Sequence, residues 1–142
     1  MIKSVTLGEE LLIETRNKVG LLADIAQMLA SRGINIESAL GYESGSTAKL
    51  MIVTSANLAI MNELKDRNYT SLKETEVVMV ELDNKPGALK VVTTELGKAG
   101  IDITCLYITS PSSFGGGSRM VMQTSDNEKA MALLSKYVTT KE

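Results

Sequence analysis

Two stretches of the chain join a glycine to the start of an apolar helical pattern. They are Asn84-Lys85-Pro86-Gly87-Ala88-Leu89 and, 67 residues earlier, Asn17-Lys18-Val19-Gly20-Leu21-Leu22. The chemistry open to such a stretch is binding. A glycine at a loop-to-helix junction lets a ligand approach the backbone, and the free amides of a helix start favour a carboxylate. Asn84 can accept a hydrogen bond from an ammonium group. The plainer reading is that Gly87 permits a tight turn and Pro86 opens a helix.

Composition narrows what else the chain can do. It has 142 residues, no histidine, one cysteine and a formal net charge of −2. The commonest general base is therefore missing, and no acidic or basic cluster has the spacing of a catalytic set, so no enzyme is expected. A single Cys105 excludes an intrachain disulfide and, without histidine, the usual zinc spacings; neither a metal nor a cofactor is expected. Cys105 itself reads as a small buried apolar residue. With no basic excess, and only one Phe, four Tyr and no Trp for base stacking, nucleic acid is not an expected partner. No stretch reads as a signal peptide or a membrane span, so a cytoplasmic location without membrane contact is expected.

The elements that must position the two loops follow from periodicity. Leu11, Ile13 and Thr15 alternate as a strand before the first loop, with Gly8 marking a break upstream. After the loop, Leu22, Ile25, Ala26 and Leu29 recur at helical spacing up to Gly33. Strands follow over Ile34–Leu40 and Lys49–Thr54. Ser55 then caps a helix carrying Leu58, Ile60, Met61 and Leu64, and a weak strand runs from Tyr69 to about Lys73.

Glu76–Leu82 begins the pattern again. At an offset of 67, Glu14, Asn17, Lys18, Gly20, Leu22, Leu29, Gly33, Ile34 and Ile36 are repeated as Glu81, Asn84, Lys85, Gly87, Leu89, Leu96, Gly100, Ile101 and Ile103. The third strand of the second copy, Arg119–Thr124, returns at an offset of 70, so three residues are inserted before it. They fall in a glycine-rich loop, Ser112–Ser118, whose Phe114 is either a lid or the one packed aromatic of a long hairpin. Ser125 and Glu128 have capping-box spacing ahead of a last helix with Ala130, Leu133, Leu134 and Tyr137, leaving Val138–Thr140 for a short final strand.

The repeat implies an α+β protein of two ferredoxin-like βαββαβ units, residues 1–74 and 75–142, each an antiparallel sheet with both helices on one face. The other face is expected to be bare around Leu12, Met51, Met79 and Leu106. That face and the edge strands point to self-association, with a homodimer the economical choice.

A strand, Asn-Lys-Pro-Gly-Ala-Leu, a helix, then Gly-Ile-Asp-Ile on a second strand resembles the ACT domain, a small regulatory module of amino-acid metabolism. Given twice, the pattern is similar to a stand-alone tandem ACT protein of the amino-acid-binding type. The resemblance implies an allosteric sensor without catalytic activity, with a small molecule, often an amino acid, held between paired domains. Carried over by position, the ligand-binding residues are Asn17, Lys18, Val19, Gly20, Leu21 and Leu22 with Asn84, Lys85, Pro86, Gly87, Ala88 and Leu89. Asn35, Ile36, Asp102 and Ile103 are implied from the facing strands.

Two of these types have plainer readings. Asp102 either pairs with an amino group or is an outward polar residue of an edge strand, and Lys18 and Lys85 behave as exposed loop lysines. Val19 stands where the family usually has proline; Pro86 fixes its own backbone angle and leaves no amide unsatisfied. The loop containing Pro86 and Gly87 is therefore expected to bind more tightly. The alternative function is a regulatory subunit whose business is a metabolic enzyme partner, similar to an acetolactate synthase small subunit.

Overall fold

The computed structural model describes residues 1–110 and 116–139. The order is β1 (Ile2–Arg16), α1 (Leu21–Ser31), β2 (Ile36–Ser44), β3 (Thr47–Thr54), α2 (Asn57–Asp66), β4 (Ser71–Asp83), α3 (Ala88–Lys98), β5 (Ile103–Thr109), β6 (Gly117–Thr124) and α4 (Asn127–Ser135). Phe114 and most of its loop lie outside the described residues. Among the described residues no helix is long and apolar enough to cross a membrane.

Two long strands replace the broken ones read from the pattern. β1 runs straight through Gly8, because a Cβ there would sit 2.6 Å from Met79 Sδ. Glycine makes room for a packed methionine rather than ending the strand. β4 likewise joins the weak strand at Tyr69–Lys73 to the strong one at Glu76–Leu82.

The chain divides into two compact units. Glu9–Thr75 is the first, and Met1–Gly8 joins the residues from Glu76 onward in the second. Residues 1–8, which the repeat placed with the first unit, thus lie with the second. There they take the place beside β4 that a fourth strand would hold, and Asp83 N–H donates to the Met1 carbonyl at 2.9 Å. Of the short strand expected over Val138–Thr140, the described residues show a parallel bridge between Val138 and Ile2, and Thr140 lies outside them.

The first unit orders its strands β2-β3-β1-β4. β1 and β3 pair antiparallel, Leu11 opposite Ile52 and Ile13 opposite Leu50. These four side chains form one sheet face, and Ile25, Met28 and Leu29 of α1 with Ile60 and Leu64 of α2 cover it. The second unit orders its strands β1-β4-β6-β5. Val78, Val80, Leu82, Met120 and Met122 meet Val92, Leu96, Ala130 and Leu134 of its helices, with Ile2 in the same core. Both units are therefore ferredoxin-like α+β layers with the helices on one side. The opposite face is less bare than expected: Met51 and Val53 are buried, and Leu12 and Met79 are half-buried. Leu106, expected on that face, lies on the helix side instead, opposite Met122 and packed against the second core, because the irregularity after Ile103 resets the alternation of β5.

Two junctions repeat in detail. In the first unit Thr54 Oγ1 donates to Asn57 Oδ1 at 2.6 Å, and Asn57 Nδ2 donates to the Glu9 carbonyl at 3.1 Å. In the second, Thr124 Oγ1 donates to Asn127 Oδ1 at 2.8 Å, and Asn127 Nδ2 donates to the Glu76 carbonyl at 3.0 Å. Each clamp ties the start of a second helix to a central strand. It also displaces the expected caps: Ala56 rather than Ser55 precedes α2, and Asp126 rather than Ser125 accepts the Lys129 amide in front of α4. Ser125 Oγ instead accepts from Asp102 N–H at 2.9 Å. Tyr137 lies beyond α4, and its hydroxyl donates to Glu95 Oε2 at 2.8 Å rather than its ring filling the core.

Ile2 is fully buried, whereas Leu7 on the same strand is 39% exposed. Ile2→Ala should destabilise the protein by about 2–5 kcal/mol and Leu7→Ala by about 0.5 kcal/mol or less, read from urea unfolding. Equal, small effects would mean that residues 1–8 are an arm and not a strand of the second unit.

Candidate functional site

Each loop leaves its strand, passes through a left-handed glycine and enters a helix. Gly20 has φ +87° and Gly87 has φ +90°, a conformation that glycine adopts without a Cβ clash. The turn sets the helix phase. Leu21 and Ala88, the first helical residues, go into the cores, while Leu22 is 58% and Leu89 39% exposed. The periodicity had put Leu22, Ala26 and Leu89 on the buried side; the stripe in fact runs Leu21, Ile25, Met28, Leu29 in α1 and Ala88, Val92, Leu96 in α3. Leu58 of α2, also expected inside, points out as well, with Ile60 and Leu64 inside.

The loops are anchored alike. Asn17 N–H donates to the Ser46 carbonyl at 2.8 Å and Asn84 N–H to the Gly116 carbonyl at 3.0 Å. Among the described residues the amides of Leu22 and Ala23 have no acceptor, as expected for a first helical turn. The side chains differ. Asn17 Nδ2 donates to Glu43 Oε2 at 2.8 Å and Lys18 Nζ lies 3.3 Å from Asp24. Val19 is fully exposed.

The first loop borders a cavity of about 620 Å³ lined by Asn17, Lys18, Gly20, Leu21, Leu22 and Ala23 and, across from them, Ala39, Gly41, Tyr42, Ala48, Lys49 and Leu50. The space exists because β2 is small there. Ala39 and Gly41 pair with Ile52 and Leu50 on the helix side of the sheet. In the second unit the matching positions are Leu106 and Ile108, paired with Met122 and Met120. Larger side chains therefore stand where the first unit has Ala39 and Gly41: Leu106 packs against the second core, and Ile108 is 38% exposed. A Cβ at Gly87 would also meet Met1 Cε at 3.7 Å, so the chain's own first residue lies against the second loop.

The strand residues that reach the first loop were missed in the sequence, although the contrast of Ala39 and Gly41 with Leu106 and Ile108 was there to be read. Asn35 and Ile36 are not brought to the loop within their own unit. Ile36 pairs with Thr54, whereas the loop adjoins the Ser44–Thr47 end of the same hairpin. Six residues of strand from Ile36 to Tyr42 span roughly 20 Å. Asp102 and Ile103 sit equivalently, the Asp102 amide and carbonyl both bonded to Ser125.

Electrostatically, both units carry a matching cross-strand pair, Glu14 with Lys49 at 3.9 Å and Glu81 with Arg119 at 2.8 Å. Beside the second loop, Asp83 collects three cations: the terminal ammonium at 3.5 Å, Lys85 at 3.7 Å and Lys3 at 3.8 Å. Burial pushes the Asp83 carboxyl up, but the ammonium, Lys85 and Lys3 together hold it below its ordinary value. Among the described residues no group of three or more acidic, cysteine or histidine side chains could hold a metal ion.

Residues 10–59 match the family model of the ACT domain, from the second half of β1 to the first turn of α2. A crystal structure of a protein from Bacteroides thetaiotaomicron is similar over 94% of this chain and 90% of that chain, with a TM-score of 0.84 and 25% identity. The ligand-free regulatory subunit of aspartate kinase from Thermus thermophilus is similar over 95% and 97% of the two chains, with a TM-score of 0.66 and 14% identity. Clostridium acetobutylicum aspartate kinase aligns with 98% of this chain at a TM-score of 0.59 and 19% identity, over 35% of its own length. At these identities the two kinase structures establish a shared fold. No curated protein matches the chain in sequence.

A carboxyl whose folded value is depressed adds stability above its unfolded value and loses it as pH falls through the folded one. The wild type should therefore lose stability more steeply than Asp83→Asn below about pH 4, measured as urea midpoints across the acid range. Parallel curves for the two proteins would show that the cation cluster does not act on Asp83.

Proposed function

We propose that the chain is a non-catalytic regulatory protein built of two ACT-like units, which binds a small molecule, an amino acid, against the loop Asn17–Leu22. The observation that carries this reading is the cavity at that loop. It joins uncommitted helix-start amides and two lysines, suited to a carboxylate, with an apolar wall of Leu21, Leu22, Ala39, Ala48 and Leu50, suited to a side chain. The ACT match over residues 10–59 covers both walls and supports a regulatory role.

The sequence favoured the second loop; the volumes of Leu106 and Ile108 and the position of Met1 move the preference to the first. Val19, Leu22 and Tyr42 leave apolar surface exposed around that loop, which a second copy of the chain would cover. A cytoplasmic homodimer, with ligand favouring one arrangement of its domains, is the assembly this reading expects. An enzyme partner would then read the arrangement; the fold is similar to that of a regulatory subunit of aspartate kinase.

Thermal unfolding against the twenty amino acids tests the proposal. A ligand at about 100 times its dissociation constant adds about 2.7 kcal/mol, an easily measured shift. Leu22→Ala and Tyr42→Ala should shrink the shift, and the corresponding Leu89→Ala should leave it intact. A shift lost only with Leu89→Ala would return the site to the second loop; no shift with any amino acid would overturn the ligand class.

A further inference from the structure

A second group of side chains in the first unit lies on the other side of Lys18. Where β1 ends, where α1 begins and where α2 turns into β4, a cavity of about 270 Å³ is lined by Thr15, Arg16, Lys18, Leu21, Arg67, Asn68 and Tyr69. A neighbouring cavity of about 350 Å³ shares Lys18, Arg67 and Tyr69 and adds Asp24 and Gln27. Three cations and no acid line the smaller cavity, in a chain whose formal net charge is −2.

The cations are unequally committed. Lys18 is held by Asp24 at 3.3 Å, and Arg67 by Glu63 at 2.9 Å, a carboxylate that Arg32 also engages. The Arg16 guanidinium has no ion-pair or hydrogen-bond partner among the described residues, and neither do the side chains of Thr15, Asn68 and Tyr69. Asn68 has φ +69°, the sole non-glycine residue with positive φ among those described, and it holds the turn that carries Arg67 and Tyr69 to the end of β1. An arginine fork with free donors, two further cations and neutral hydroxyl and amide groups match a phosphate group, which accepts on several oxygens and carries up to two charges.

We infer that Arg16, Lys18, Arg67 and Tyr69 form a binding site for the phosphate group of a small molecule, separate from the cavity at Ala39 and Gly41. Arg16 takes the phosphate by a bidentate contact. Arg67 and Lys18 complete its neutralisation, and the adjoining cavity has room for an organic substituent. The inference does not depend on the amino-acid reading, because its lining shares only Lys18 and Leu21 with the other cavity.

The test uses the full chain at constant ionic strength, with inorganic phosphate in one arm, adenosine 5′-monophosphate in a second and potassium chloride as control. Wild type should show a saturable rise in unfolding temperature with phosphate or the nucleotide, and none with chloride. Arg16→Gln should weaken the apparent affinity by about tenfold or more, Arg16→Lys by less, and Lys73→Gln, on β4 outside both cavities, not at all. Equal response to both probes identifies the bare phosphate group as the ligand chemistry, and a response to the nucleotide alone identifies a phosphorylated organic molecule; both support the site. Phosphorus NMR line broadening by wild type but not by Arg16→Gln gives the same answer without unfolding. No saturable effect with either probe, or an effect that Arg16→Gln retains in full, would overturn it.

Discussion

A φ near +90° at two glycines governs the functional end of both units. The strand before each loop must hand over to a helix within four residues, and the helix must start with its first side chain already in the core. A left-handed residue at the N-cap makes that geometry, and for any residue with a Cβ it costs roughly 1–2 kcal/mol. Once Leu21 and Ala88 are committed inward, the next residues, Leu22 and Leu89, can only face out. The exposed leucine beside unpaired amides is thus a consequence of the turn and not a separate provision for a ligand.

What distinguishes the two units is side-chain volume rather than backbone. The hairpin registers match position for position, down to a shared irregularity after Ile36 and after Ile103. On this common frame Ala39 and Gly41 leave a hollow, whereas the second unit has the larger Leu106 and Ile108 at the same positions. Lys18 sits where the hollow and the cationic cavity behind it share a wall. An anion that drew Lys18 away from Asp24 would change the charge lining both.

The repeat, and with it the order strand, helix, strand, strand, helix common to both units, was legible from Asn17, Gly20 and Ile36 recurring as Asn84, Gly87 and Ile103. The loops and their glycines were legible for the same reason: few residue types satisfy that turn. Helix phase was not. In α1, Leu21 and Leu22 are equally apolar, and only the loop decides which of them is buried. The role of residues 1–8 was hidden because Gly8 followed by Glu9 and Glu10 has the composition of a break, while its cause, the Met79 side chain packed over Gly8, lies far along the chain. The Thr-x-x-Asn clamps at Thr54 and Thr124 were visible as a repeated pattern, but their purpose needs the carbonyls of Glu9 and Glu76. The facing residues Asn35 and Ile36 came from the resemblance, which sets them against the loop of an adjoining copy; within their own unit antiparallel pairing carries them to the far end of the hairpin from the loop.

The assignment of Met1–Gly8 to the second unit has a consequence for how the protein is made. Ile2 and Thr139, which hydrogen-bond, are 137 positions apart. During synthesis the first unit has nearly all its strands and both its helices before β4 appears, so it can begin to fold early. The opening segment cannot do the same. It stays an unpaired strand edge, with Ile2, Val5 and Leu7 in solvent, until β4 gives it a neighbour and the later helices cover Ile2. Closing so long a loop is slow, and an apolar edge left waiting invites pairing with another chain. Lys3, the charged side chain of that segment, is the feature that would keep the nascent edge apart from its copies.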